Sequence, residues 1–249
     1  MAAEPVDAGP ARDLAAEQAA LREVRERVMN VVGHALRTPM ATVRGQAEVL
    51  ARTTDEAQRT QLVEGLLRNT RRLERLLDDV LVAAGIETRL PVRAPEDVRL
   101  ADAVQVAWAE LGSDRPLDVT ADPAATARVA PDALRWMLHH LLDNVVRYGD
   151  GPVEVSIRVL GERATLTVGG AGPQLSPGDL ANAFELFYRG EHAVMRSGDR
   201  MGVGLPVARR LAEFMRGSVS LEPRRDGGAV AVVMLPTREA PTDPGRVDR

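Results

Sequence analysis

The chain of 249 residues carries a formal net charge of −4, no cysteine and four histidines, and its cations are all arginine. Zero cysteines exclude disulfides, thiol catalysis and thiolate metal sites, and the acidic balance provides no basic footprint for nucleic acid. No run approaches the roughly 20 apolar residues of a membrane helix and no signal-peptide core opens the chain, so the expectation is a cytoplasmic protein with no membrane segment in this chain.

Residues 1–10 are rich in Ala, Pro and Gly and are expected to be disordered. From about Ala11 to Arg52 the pattern is helical. Leu14, Leu21, Val28 and Ala35 recur every seven residues, with Val24, Val31 and Thr38 three later, a seam for a partner helix. Thr53-Thr54-Asp55 supplies turn and N-cap chemistry for a second helix to about Ala84. That helix sets Leu66, Leu73 and Val80 on one line and Leu62 and Leu76 on another. A lone hairpin cannot bury both apolar faces, so residues 11–88 are expected to form an all-α antiparallel helical hairpin that pairs into a dimeric four-helix bundle. Within the first helix His34 and Thr38 share one face, His34 on the outer side of the bundle, and Pro39 is expected to interrupt the helix and bend its axis.

Gly85, Pro91 and Pro95 mark a linker, placed at residues 89–98. Residues 99–236 then change to mixed texture. Helices are expected at Leu100–Leu111, Ala133–Tyr148 and Val203–Met215, and a short strand at Leu117–Ala121. Val153–Leu160 and Arg163–Val168 form a hairpin through Gly161-Glu162, and Ser218–Glu222 pairs with Ala229–Leu235 across Gly227-Gly228. Residues 169–201 are glycine-rich and polar around a Phe-containing turn, and 237–249 read as a disordered tail. Strands joined by hairpins with helices between them indicate an α+β two-layer sandwich.

The run His34-Ala35-Leu36-Arg37-Thr38-Pro39 resembles the phosphoacceptor box of the sensor histidine kinases of two-component systems, His-Glu-Leu-Arg-Thr-Pro, with Ala35 in place of the acidic residue. The elements after the linker resemble that family's ATP-binding domain, the fold shared with gyrase-type and Hsp90-type ATPases. His140-Leu141-Leu142-Asp143-Asn144-Val145-Val146-Arg147-Tyr148 is similar to the family's Asn-x-x-x-Asn helix, with His140 at the first asparagine and Arg147 at the usual lysine. The resemblance implies Mg²⁺ on the amide oxygen of Asn144 and a phosphate contact from Arg147, with Tyr148 closing the run. Gly170-Ala171-Gly172-Pro173-Gln174 aligns with Asp-x-Gly-x-Gly, whose aspartate accepts from the adenine amino group. Gly172 is kept, whereas Gly170 and Gln174 depart. Loss of such a charge-assisted hydrogen bond costs ~1.5 to 3 kcal/mol, which makes adenine selectivity the weakest feature. Phe184-Glu185-Leu186-Phe187-Tyr188-Arg189 matches Phe-x-x-Phe-x-Arg. By the resemblance Phe187 anchors a lid at about 189–201 and Arg189 contacts phosphate. Gly202-Val203-Gly204-Leu205 matches the Gly-Leu-Gly-Leu box, whose glycines open a helix and turn backbone N–H groups toward a triphosphate.

What the resemblance implies is a kinase using ATP and Mg²⁺. It moves the γ-phosphoryl group to Nε2 of His34 and then to an aspartate of a response-regulator receiver domain, and it works as a homodimer. Phosphoryl transfer is largely positioning and electrostatics, and an imidazole, with an ordinary pKa of about 6.5, is mostly neutral in the cytoplasm. Between Arg27 and Ala47 no acidic residue replaces the one missing at Ala35, so the expectation is slowed rather than abolished autophosphorylation. Thr38, beside Arg37, stands where the family orients a water for dephosphorylating the partner. The alternative is a degenerate kinase, a dimeric docking or regulatory module without ATP turnover. A gyrase-like or chaperone ATPase fits the histidine-bearing hairpin poorly.

Overall fold

The structure, a computed structural model, describes residues 32–33, 35–85, 93–190 and 201–237. The expectations for His34, the N-terminal segment, the tail beyond 237 and residues 191–200 of the lid expected at about 189–201 fall outside these residues. The chain forms two compact units that divide between Leu76 and Leu77.

In the first unit residues 35–50 form helix α1 and Glu56–Ala83 form the 28-residue helix α2, whose last turns belong to the second unit. Asp55 Oδ1 accepts from the Gln58 backbone N–H at 3.0 Å, satisfying one of the orphan donors at the start of α2. Contrary to the expected interruption, α1 runs unbroken through Pro39, which is buried. Proline removes a single donor, and the turns on either side carry the helix across. The two helices approach closely at Gly65, where a Cβ would lie 2.7 Å from Gln46 Nε2. Beside it Asn69 Nδ2 donates to Gln46 Oε1 at 3.1 Å. Met40, Val49, Val63 and Leu67 remain exposed on this unit.

The second unit is built on a five-stranded sheet in the order β2-β4-β5-β7-β6, with β2 at Leu117–Ala121, β4 at Asp150–Leu160, β5 at Arg163–Ala171, β6 at Ser218–Pro223 and β7 at Ala229–Pro236. Strand β2 is parallel to β4, and the remaining pairs are antiparallel. Side chains alternate across a strand, and Val153, Val155 and Ile157 on β4, Ala164, Leu166 and Val168 on β5 and Ala231, Val233 and Leu235 on β7 are all buried. Helices α3 (Leu100–Leu111), α4 (Pro131–Tyr148) and α6 (Gly204–Phe214) form the second layer, with α4 packed between the other two and against β4 and β5. Leu134, Met137, Leu138, Leu141 and Leu142 of α4 are fully enclosed. This is the α+β two-layer sandwich.

Three elements escaped the sequence pattern. Strands β1 (Glu96–Arg99) and β3 (Thr126–Val129) pair as a separate antiparallel ribbon, so the presumed linker ends in a strand. The mostly exposed, charged sequence of β1 shows no apolar alternation. Helix α5 (Pro177–Asn182) is a short turn fixed by a capping box between Ser176 and Asp179. Strand β4 starts earlier than expected, because a bulge between Asp150 and Glu154 absorbs Gly151 and Pro152.

The C-terminal end of α4 is closed by Arg115. Its guanidinium donates to the carbonyls of Val145 (2.9 Å), Val146 (2.8 Å), Gly149 (3.1 Å) and Gly151 (2.8 Å). The last carbonyls of a helix lack intrahelical partners, and a cation there also complements the helix dipole. Arg115→Ala is expected to lower the unfolding free energy by about 1.5 to 3 kcal/mol, the range for hydrogen bonds to a charged group. Urea denaturation of the variant against the parent measures it.

Candidate functional site

His140, Asn144, Arg147 and Tyr148 fall on one stripe of α4, at spacings of four, seven and eight residues. His140 is buried and its Nε2 lies 2.9 Å from Asp79 Oδ1, while the Trp136 indole nitrogen lies 3.0 Å from both atoms. The ring of His139 stands edge-on to that of His140 at 5.9 Å. Asn144 is half-buried one turn further on. Arg147 Nε donates to both oxygens of the buried Asp143, at 2.8 and 2.9 Å. A phosphate drawn to Arg147 would therefore share that cation with a carboxylate.

The start of α6 meets this stripe. A Cβ on Gly204 would lie 3.4 Å from Nδ1 of His140, an ordinary contact, so the start of α6 packs directly beside the imidazole. Gly202, at φ +71°, accepts through its carbonyl from the Phe187 backbone N–H at 3.1 Å. Phe187 itself holds φ +66°, uncommon for a residue with a Cβ and a sign of local strain. The aromatic box and the glycine box are thus tied backbone to backbone. Leu205 is half-buried in the first turn of α6, and Arg189 is half-buried two residues beyond Phe187. Phe184 lies beneath the guanidinium of Arg209 at 4.2 Å.

The third segment ends β5. A Cβ on Gly172 would stand 3.3 Å from both the Tyr148 carbonyl and Gly149 Cα. Gly227 and Gly228, at φ +88° and +82°, fold the β6–β7 turn over the backbone of 170–172, and Gly228 N donates to the Pro173 carbonyl at 3.2 Å. Arg224 anchors this hairpin to Asp226 (2.9 Å) and to Glu154 of β4 (2.7 Å), and the two carboxylates hold its pKa well above the ordinary value.

Position 170 carries no carboxylate, and a side chain there would fit only tightly. A Cβ there would lie 3.0 Å from the Pro152 carbonyl and 3.1 Å from Val145 Cγ1. Gly170→Asp is therefore expected to destabilise the domain by ~1 to 3 kcal/mol, the range for overpacking. Trimming the neighbour in Val145→Ala/Gly170→Asp should recover part of that loss, so the two changes will not add. Thermal unfolding of the single and double variants tests this; additive losses would contradict it.

The structure therefore brings His140 to Gly204, Tyr148 to Gly172 and Phe187 to Gly202 within the second unit. Arg37 and Thr38 lie exposed on α1 in the first. Asp79, Trp136 and Arg115 belong to no motif and went unnoticed in the sequence. For Asp79 and Trp136 the sole signal was a polar residue at the end of an apolar helical stripe and a tryptophan one turn before His140.

A helical hairpin bearing a histidine box, joined to a sandwich whose glycine segments gather at the end of one helix, defines a phosphoacceptor domain coupled to an ATPase-type domain. Residues 24–89 match the His Kinase A (phospho-acceptor) domain, and residues 129–239 match the histidine kinase-, DNA gyrase B- and HSP90-like ATPases. The sensor protein KdpD of Escherichia coli K12 is 30% identical over 241 residues, covering 90% of this chain and 26% of KdpD. Across the first curated relatives the chain spans between 26% and 53% of their length. Solved structures share the fold as well. The histidine kinase AdeS of Acinetobacter baumannii gives a TM-score of 0.58 at 18% identity, covering 82% of this chain and 98% of AdeS. Full-length ShkA in complex with AMPPNP gives 0.55 at 23% identity, covering 87% and 47%. The chain belongs to the sensor histidine kinases of two-component systems. Among the described residues no helix is long and apolar enough to cross a membrane.

Proposed function

We propose that this chain autophosphorylates on His34 with Mg·ATP and passes the phosphoryl group to an aspartate of a response-regulator receiver domain. The observation that carries this reading is the meeting of α4 and α6, where His140 faces Gly204 and the first N–H groups of α6 lack intrahelical acceptors. The phosphate end fits the ligand. Gly202 stands where a side chain would crowd the backbone of Phe187 and Tyr188, Gly204 lies directly beside the His140 ring, and Asn144 offers an amide oxygen of the hard type Mg²⁺ prefers. Bound there, Mg²⁺ would supply charge neutralisation on the triphosphate. Full-length ShkA, which shares the fold and was solved in complex with AMPPNP, agrees with this reading.

The chain's own residues then set the rate and the selectivity. Nε2 of His34 uses its lone pair to form the nitrogen–phosphorus bond as the bond to ADP breaks, and the ring proton leaves to solvent because Ala35 provides no base. The base end has no carboxylate at 170, so we expect ATP and GTP to be poorly distinguished. The docking-module alternative is the weaker reading, because Asn144 and the glycines at 172, 202 and 204 are all retained.

Incubation with γ-labelled ATP should mark the parent chain and neither His34→Gln nor Asn144→Ala. Ala35→Glu should speed labelling, up to the ~10² to 10⁴ that a positioned general base contributes. An unlabelled parent that fails to bind Mg·ATP at millimolar concentration would contradict the kinase reading. Exposed Met40, Val49, Val63 and Leu67 support a homodimer through the hairpin. Light scattering at micromolar concentration should give twice the chain mass, and a monomer would refute the bundle.

A further inference from the structure

Asp79 and Trp136, which belong to no family motif, form a buried polar cluster with His140 beside α4. Asp79, on the last turns of α2 and within the second unit, is 8% exposed, and His140 is 7% exposed. The His140 Nε2 atom lies 2.9 Å from Asp79 Oδ1, and the Trp136 N–H nitrogen lies 3.0 Å from each. An indole nitrogen only donates and an ionised carboxylate only accepts. Asp79 therefore accepts from both rings. The hydrogen must sit on Nε2, because two lone pairs facing each other at that separation repel.

The consequence falls on the other ring nitrogen. A neutral imidazole protonated at Nε2 carries its lone pair at Nδ1, the atom 3.4 Å from where a Cβ would stand on Gly204. Among the described residues no hydrogen bond engages Nδ1. An acceptor at that place repels a phosphate oxygen and attracts a donor. The donor that arrives with a nucleotide is water on its divalent cation, since Mg²⁺ gives up its waters reluctantly. Asn144, assigned above to that cation, lies one turn along the same face. A histidine whose second nitrogen donates to a carboxylate is also the arrangement by which proteins orient imidazoles toward metal ions.

We propose that Asp79 and Trp136 are positioning residues of the nucleotide site. They hold His140 through Nε2 so that Nδ1 accepts from a water on the nucleotide's divalent cation. The site is then completed by the terminal turns of α2. This rests on the nucleotide-binding reading above.

The test is nitrogen NMR of the full chain carrying ¹⁵N-histidine, with His140 assigned by its loss in His140→Asn. The parent should show Nε2 protonated and Nδ1 unprotonated. Adding Mg·ATP should move Nδ1 and leave Nε2 in place, and Mn²⁺ in place of Mg²⁺ should broaden Nδ1. By calorimetry Asp79→Ala should weaken Mg·ATP binding by ~10- to 100-fold, the usual cost of losing a residue that orients a metal-facing histidine. Asp79→Asn, whose amide oxygen still accepts from Nε2, should restore most of the affinity. A merely structural Asp79 would lower the melting temperature in Asp79→Ala without moving the affinity or the parent's Nδ1 resonance, and that result overturns the proposal. If Asp79→Ala does not fold, the parent spectra decide alone. Failure of the parent itself to bind Mg·ATP would overturn the nucleotide reading and this proposal with it. That outcome is distinguishable because parent and variants are then equally silent.

Discussion

The second unit depends on how helix α4 is held. One face of the helix carries Leu134, Leu138, Leu141 and their neighbours into the core between α3, α6 and the sheet, burying apolar area that anchors it along its whole length. Its C-terminal carbonyls would be orphans at a chain reversal, and Arg115 takes them up together with those of Gly149 and Gly151. Held along its length and at that end, the helix presents the stripe from His140 to Tyr148 at a set height against Gly204 and Gly172.

That constraint also explains which departures from the family pattern the fold absorbs. Along α4 the departures are exchanges of one polar group for another. His140 is buried with its partners Asp79 and Trp136, and Arg147 is paired with Asp143. A buried polar group without such partners would cost the domain free energy. At the end of β5 the change is subtractive. Gly170 leaves a backbone wall packed on Val145 and the Pro152 carbonyl. The two stretches thus differ: α4 keeps a polar constellation, and Gly170 packs tightly against its neighbours.

Much of the architecture was legible in the sequence because it follows from periodicity. The alternation in β4, β5 and β7 and the apolar stripe of α4 are properties of a two-sided strand and a one-sided helix. The ribbon of β1 and β3 was not legible. Four-residue strands with exposed charges carry too little pattern, and their pairing is decided by the fold around them. Of the candidate site, the proposed roles of the glycines and Asn144 come from their order along the chain. Asp79 was not legible in that way, since the residue that partners His140 lies 61 positions away and nothing local distinguishes it from any other acidic residue at a helix end. Arg115 was hidden for the same reason: its acceptors are backbone carbonyls, which leave no mark on side-chain sequence.

Everything proposed for this chain requires a nucleotide to sit where α4, the end of β5 and the start of α6 come together. Amide hydrogen exchange of the chain with and without Mg·ATP reads that placement without intermediary, since bound phosphates occupy the N–H groups at the start of a helix. Slowed exchange confined to residues around 144–149, 170–172 and 202–205 is the expected result. Unchanged exchange in those three stretches at saturating Mg·ATP, or protection centred elsewhere in the sandwich, would contradict it.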